Sequence, residues 1–166
     1  LARQILPFFS SMFLHGGWLH LIGNMWVLYI FGDNIESELG HFKYLLFYLL
    51  CGVTAAAIQI LTNPASNMPT IGASGAIGGV MGAYFLLYPH ARILALIPIF
   101  FFFTLVEVPA YLFLGFWFLL QFYSGAFSLI SQTEHYRGIA WWAHIGGFLG
   151  GMFLLYLFRG FPRKSR

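Results

Sequence analysis

Apolar residues fill this chain in long continuous blocks, and short polar stretches break the blocks apart. A helix that crosses a bilayer needs about 20 apolar residues, fewer where polar groups face inward. The pattern predicts five such spans. The first runs from about Trp18 to Phe31 and ends at the polar stretch Gly32 to Glu38. The second, Phe42 to Leu61, stops at the turn signal Thr62-Asn63-Pro64. The third starts at Ser74 and ends near residue 88, before Pro89-His90. Residues 93–123 admit two readings: one long span, or an interfacial stretch followed by a shorter span. Glu107 and Pro109 interrupt the run, and proline breaks or starts helices, which favours an interfacial stretch at 93–106 and a span at 108–123. The last span covers Trp141 to Phe158. No linker divides residues 1–166, so the expected fold is a single-domain, all-α, polytopic membrane helical bundle.

Composition strengthens the membrane reading. The chain is 60% hydrophobic and only 8% charged, where a soluble domain carries about a quarter charged residues. A small water-soluble domain has too much surface to cover with so few charges. The net charge of +3 is no nucleic-acid signature, because the basic residues gather at the C-terminus as Arg159, Arg163, Lys164 and Arg166. Such a cluster beyond an apolar helix reads as a cytoplasmic flank, consistent with a multi-pass protein of the cell (inner) membrane. Alternation then puts the loops with Lys43 and Arg92 inside and the loops at 62–73 and 124–140 outside. Cys51 is the sole cysteine, which rules out an intrachain disulfide and a cysteine-based metal site. The segment Leu1 to Leu14, with Pro7, carries no signal-peptide pattern and reads as an abrupt beginning.

The candidate chemistry starts at Gly72-Ala73-Ser74-Gly75, a glycine-flanked serine that opens an apolar segment. A serine hydroxyl is a poor nucleophile without a base. Ser74 shares a helical face with Gly78 and Gly82, and His144 shares one with Gly147 and Gly151. Small residues let membrane helices approach closely. If these faces meet, Ser74 and His144 meet near the same outer depth. On spacing alone, glycine-mediated packing with an incidental serine explains the pattern equally well. His20 and Asn24 lie one turn apart in the first span, with His15 upstream. They are donors suited to an oxyanion hole, helped by the Ser74 N–H at a helix N-terminus. Taken singly, each is more readily an interhelical hydrogen bond. The histidine spacing lacks the pattern of a metal-binding helix, and no carboxylate lies within it, so neither metal nor cofactor is expected. Asp33 and Glu107 fall toward the inner side; Glu134 falls toward the outer and stays open as a third member, with a Ser-His dyad the simplest arrangement. The tryptophans at 141 and 142 read as interfacial anchors.

Together these residues resemble the rhomboid family of intramembrane serine proteases. The match runs through Phe13 to Asn24, Glu36 to Gly40, Gly72 to Gly75, and Ala143-His144 with Gly147 and Gly151. The resemblance implies Ser74 as nucleophile and His144 as general base. It implies an oxyanion hole of His20, Asn24 and the Ser74 N–H, and packing or motif roles for Gly72, Gly75, Gly78, Gly147 and Gly151. It makes Glu36 a structural residue that holds helix ends, where the residue by itself reads as a solvated loop charge. It further implies transmembrane protein substrates in the bilayer, cut near the outer face, with 124–140 as a flexible cap and 108–123 as a lateral gate. Five of the family's six core spans have counterparts, which implies a chain that lacks the first. The Trp-Arg pair of some members' first loop is absent. Gly78 stands where one branch has a tyrosine stacked on the histidine, which leaves His144 to be positioned by packing. The alternatives are a non-catalytic rhomboid-like protein that binds or escorts membrane clients, and a small channel with His20 and Asn24 along its path.

Overall fold

The computed structural model describes residues 2–64, 70–130 and 139–159. The chain opens with helix α1 (Ala2–Ser10) and a single 3-10 turn at Ser11–Phe13. Helices α2 (Trp18–Leu39), α3 (His41–Thr62) and α4 (Ser74–Leu87) follow. Strands β1 (Arg92–Ile99) and β2 (Phe102–Pro109) precede α5 (Ala110–Ile130) and α6 (Trp141–Arg159). Among the described residues, α3, α5 and α6 are long and apolar enough to cross a membrane. The molecule is therefore a membrane protein built as a helical bundle, as its residue pattern predicts.

Three boundaries differ from the expected ones. Helix α2 does not stop at Phe31 but continues through the polar stretch to Leu39. Polar residues do not end a helix when its backbone bonds persist; the stop comes at Gly40, whose φ of 79° suits glycine and whose N–H donates to the Glu36 carbonyl at 2.7 Å. Helix α5 runs on to Ile130, so residues 124–130 of the expected outer cap are helical, and residues 131–138, with Glu134, lie outside the described ones. Residues 93–106 are not a simple interfacial stretch. They form most of an antiparallel hairpin that pairs Arg92 with Pro109 and Ile99 with Phe102. The turn falls on Phe100 and Phe101, with Phe100 at φ 54°. This segment is rich in β-branched residues and carries Pro98, both poor for a helix interior. Phe100 to Phe103 are all exposed, and a surface ion pair of Arg92 and Glu107 (3.2 Å) lies near the hairpin's base.

Helix α4 forms the centre of the bundle. Gly75 to Tyr84 are all buried, against α6, α3 and α2. Its glycines put backbone directly on backbone. A Cβ placed on Gly147 would run into the Gly75 carbonyl, one on Gly151 into the Gly79 carbonyl, and one on Gly82 into the Phe148 carbonyl. Around this contact Phe47, Ile35, Ile77, Val80 and Leu114 fill the core.

Two carboxylates tie the C-terminal end of α2 to its neighbours, the expected Glu36 and also Glu38. Glu36 reaches His41 at the start of α3 (2.6 Å), and that imidazole is almost wholly exposed. Glu38 instead accepts from the Tyr88 hydroxyl at 3.0 Å and pairs with Arg159 at 3.0 Å, joining the ends of α2, α4 and α6. Burial first, and then the bond to Glu38, push the Tyr88 phenol above its usual range, so it stays a donor. Glu38→Ala is expected to cost about 1 kcal/mol, the upper range for a partly exposed pair. Glu36→Ala should cost less, and thermal unfolding in detergent compares the two.

Candidate active site

Three helices bring their N-terminal ends to one side of the bundle. Ser74 is the first residue of α4, so its N–H and those of Gly75 and Ala76 have no partner within the helix. They carry the positive end of its dipole. His144 lies in the first turn of α6, and His20 and Asn24 in the first two turns of α2. The glycine contact of α4 with α6 sets the first two residues face to face. His144 Nε2 is 2.9 Å from Ser74 Oγ. The faces Ser74-Gly78-Gly82 and His144-Gly147-Gly151 do meet, and a Cβ on Gly78 would lie 3.0 Å from the His144 carbonyl. A side chain at position 78 would need the α6 backbone to give by a few tenths of an ångström.

His144 is not left to packing alone, contrary to expectation. Its Nδ1 lies 2.8 Å from Oε1 of Gln121 on α5, a glutamine that is 7% exposed. Trp117, one turn earlier, lies over the imidazole with centroids 6.0 Å apart and planes inclined by 35°. The signal for Gln121 was present in the sequence: it is an amide within the apolar run of 108–123, and such groups face the protein interior. A second glutamine, Gln59 on α3, accepts the Ala143 N–H at 3.0 Å and so caps the first turn of α6 beneath His144.

The opposite wall is the turn before Ser74. Gly72 has φ 120°, a conformation other residues rarely adopt, and its N–H donates to the Ser11 carbonyl at 2.9 Å. A Cβ there would lie 2.7 Å from His20 Nε2 and 3.8 Å from Asn24 Nδ2, so both donor groups border the backbone leading into Ser74. The Gly16 N–H donates to His20 Nδ1 at 3.3 Å. Nδ1 is therefore an acceptor and Nε2 carries the proton, which makes Nε2 a donor on the side facing the turn. Asn24 is buried and gives one side-chain N–H to the His20 carbonyl at 2.9 Å, leaving its second hydrogen free of that bond. Among the described residues it makes no side-chain bond to another helix, as an interhelical glue requires. His15 packs edge-on against His20, ring centroids 5.2 Å apart.

The arrangement combines a hydroxyl on a base, a base held at its far nitrogen, and several N–H donors across a narrow gap. Among the described residues the carboxylates Asp33, Glu36 and Glu38 lie in the C-terminal part of α2 and Glu107 on the hairpin, away from this site.

A family model described as the rhomboid domain matches residues 2–161. The chain is 42% identical over 73 residues to Rhomboid-like protein 11, chloroplastic, of Arabidopsis thaliana, covering 44% of this chain and 26% of that protein. It is 34% identical over 99 residues to Presenilin-associated rhomboid-like protein A, mitochondrial, of Danio rerio, covering 58% and 26%. It is also 34% identical over 89 residues to Rhomboid protein 1, mitochondrial, of Saccharomyces cerevisiae, covering 51% and 26%. The chain thus spans about a quarter of the length of these relatives.

Proposed function

Because this chain belongs to the rhomboid family, we propose that it is an intramembrane serine endopeptidase that cleaves transmembrane proteins near the outer face of the membrane. The observation that carries the reading is the 2.9 Å approach of Ser74 Oγ to His144 Nε2. His144 takes the hydroxyl proton as Oγ bonds to the scissile carbonyl carbon. The oxyanion that forms is stabilised by His20 Nε2–H, Asn24 and the Ser74 N–H. Collapse breaks the C–N bond, and the imidazolium gives its proton to the leaving amine. Water then attacks the ester, again losing a proton to His144, and releases the acid and free Ser74.

Depth supports cleavage close to the outer surface. Helix α4 has 14 residues, about 21 Å at 1.5 Å per residue, against a hydrocarbon thickness of about 30 Å. With its C-terminal end at the inner boundary, Ser74 lies recessed below the outer one, at a depth that hydrolysis requires water to reach. We place the C-terminus on the cytoplasmic side of a cell membrane; protection of a C-terminal tag from protease added to intact cells tests this. Location in an organelle, as the names of the mitochondrial and chloroplastic relatives state for them, would overturn it.

The deciding experiment is labelling with a serine-reactive fluorophosphonate. The wild-type chain should label, and Ser74→Ala should not. Absence of wild-type labelling would favour a non-catalytic client-binding protein. Asn24→Ala should slow turnover by about 10²-fold, as for loss of an oxyanion donor. If thermal stability fell in parallel with activity, Asn24 would be a packing residue instead.

A further inference from the structure

We infer that Gln121 is the positioning residue of the base: its amide oxygen holds the His144 proton on Nδ1 and so keeps Nε2 free to receive the proton of Ser74. The inference rests on the acyl-transfer reading for its consequence, but the geometry stands by itself. The two contacts of the imidazole, 2.8 Å to Gln121 Oε1 and 2.9 Å to Ser74 Oγ, lie on its two nitrogens. A neutral imidazole has one N–H. An amide oxygen only accepts, so the N–H must sit on Nδ1. Nε2 then has a lone pair, and the only hydrogen available to that contact is the serine's. Were the tautomer reversed, Nδ1 and Oε1 would face each other as two acceptors, and Nε2 could not act as the base.

Burial argues that the bond has a purpose. The buried positions of α5 are Ala110, Leu114, Gln121 and Gly125, and three of these four are apolar. An amide among them is destabilising unless it is hydrogen-bonded. His144 supplies a partner. A neutral amide also orients the ring without adding a second charge to a site set in apolar surroundings, and the Nδ1–H bond persists when the ring is protonated during turnover. Gln121 thus takes the place that a carboxylate holds in a Ser-His-Asp triad. It also links α5 to the chemistry. Helix α5 is the least buried of the three membrane-crossing helices, and a displacement of it from α6 removes the acceptor and releases the tautomer.

Two variants separate positioning from packing. Gln121→Met keeps the unbranched shape and loses the acceptor; Gln121→Glu keeps an oxygen at the same reach. For Gln121→Met, kcat and the fluorophosphonate labelling rate should fall by about 10²-fold, with KM unchanged. Gln121→Glu should restore most of the loss. Wild-type kcat in Gln121→Met would overturn the inference, as would equal losses in both variants accompanied by equal losses of thermal stability. The 15N shifts of His144 in histidine-labelled protein, assigned by difference from His144→Ala, read the tautomer directly. An Nδ1–H signature in the wild type and in Ser74→Ala is expected, with a mixture in Gln121→Met. An Nε2–H signature in the wild type would overturn it even if the chain cleaves. Failure of all labelling with the Nδ1–H signature intact would reject the proteolytic reading and leave the assignment of the tautomer standing.

Discussion

Ser74→Ala and His144→Ala should each lower cleavage of a membrane reporter by about 10⁴-fold or more, and the double variant should be no worse than either. The nucleophile and its base act as one unit, so losing either removes the whole covalent route. The two variants should differ in stability. Ser74 is half-buried and loses one hydroxyl bond to His144 Nε2, while the imidazole keeps its bond to Gln121. His144→Ala removes the ring that satisfies Gln121, and leaves a buried amide without its bond. That costs about 1–3 kcal/mol. Thermal unfolding in detergent, run beside the cleavage assay, should show Ser74→Ala near wild type and His144→Ala lower. A Ser74→Ala variant that still cleaves would remove the serine from the reaction.

The centre of the site was readable before the fold was known because its geometry rests on local periodicity. Glycines at helical spacing after Ser74 and around His144 mark the two faces that meet, and a helix of fixed pitch converts that spacing into a surface. His20 and Asn24 were readable for the same reason. Gln121 carried a signal, a buried-type amide in an apolar run, but its partner lies 23 residues away on another helix. Only the rotation of α5 about its axis brings the two together, and no spacing encodes that. Glu36 and Glu38 illustrate a finer limit. They are two residues apart, about 200° around the helix at 3.6 residues per turn. One therefore faces His41 while the other reaches Tyr88 and Arg159. The hairpin at 92–109 was hidden because a short apolar run with no clear period fits a strand or a helix equally well.

Gly147→Ala should be among the most damaging single methyl additions at the described positions. The added Cβ would meet the Gly75 carbonyl oxygen and come within 3.4 Å of the Gly79 nitrogen, and both are backbone. A flexible side chain can swing aside, but a helix backbone moves only as a unit. Helix α6 must therefore shift away from α4, or the α4 backbone must bend. Overpacking of this kind costs about 1–3 kcal/mol. That corresponds to a fall in melting temperature of about 2–4 °C per kcal/mol for a chain of this size. The effect on activity should be larger, because the same contact sets the 2.9 Å gap between Ser74 and His144. A displacement of about 1 Å can cost about 10²-fold in rate. Gly23→Ala is the matched control. It adds the same methyl to α2 at a position with nothing within 4 Å, and it should gain up to about 1 kcal/mol of helix propensity. Equal behaviour of the two variants in unfolding and in fluorophosphonate labelling would mean that backbone contact between α4 and α6 does not hold the serine on its base.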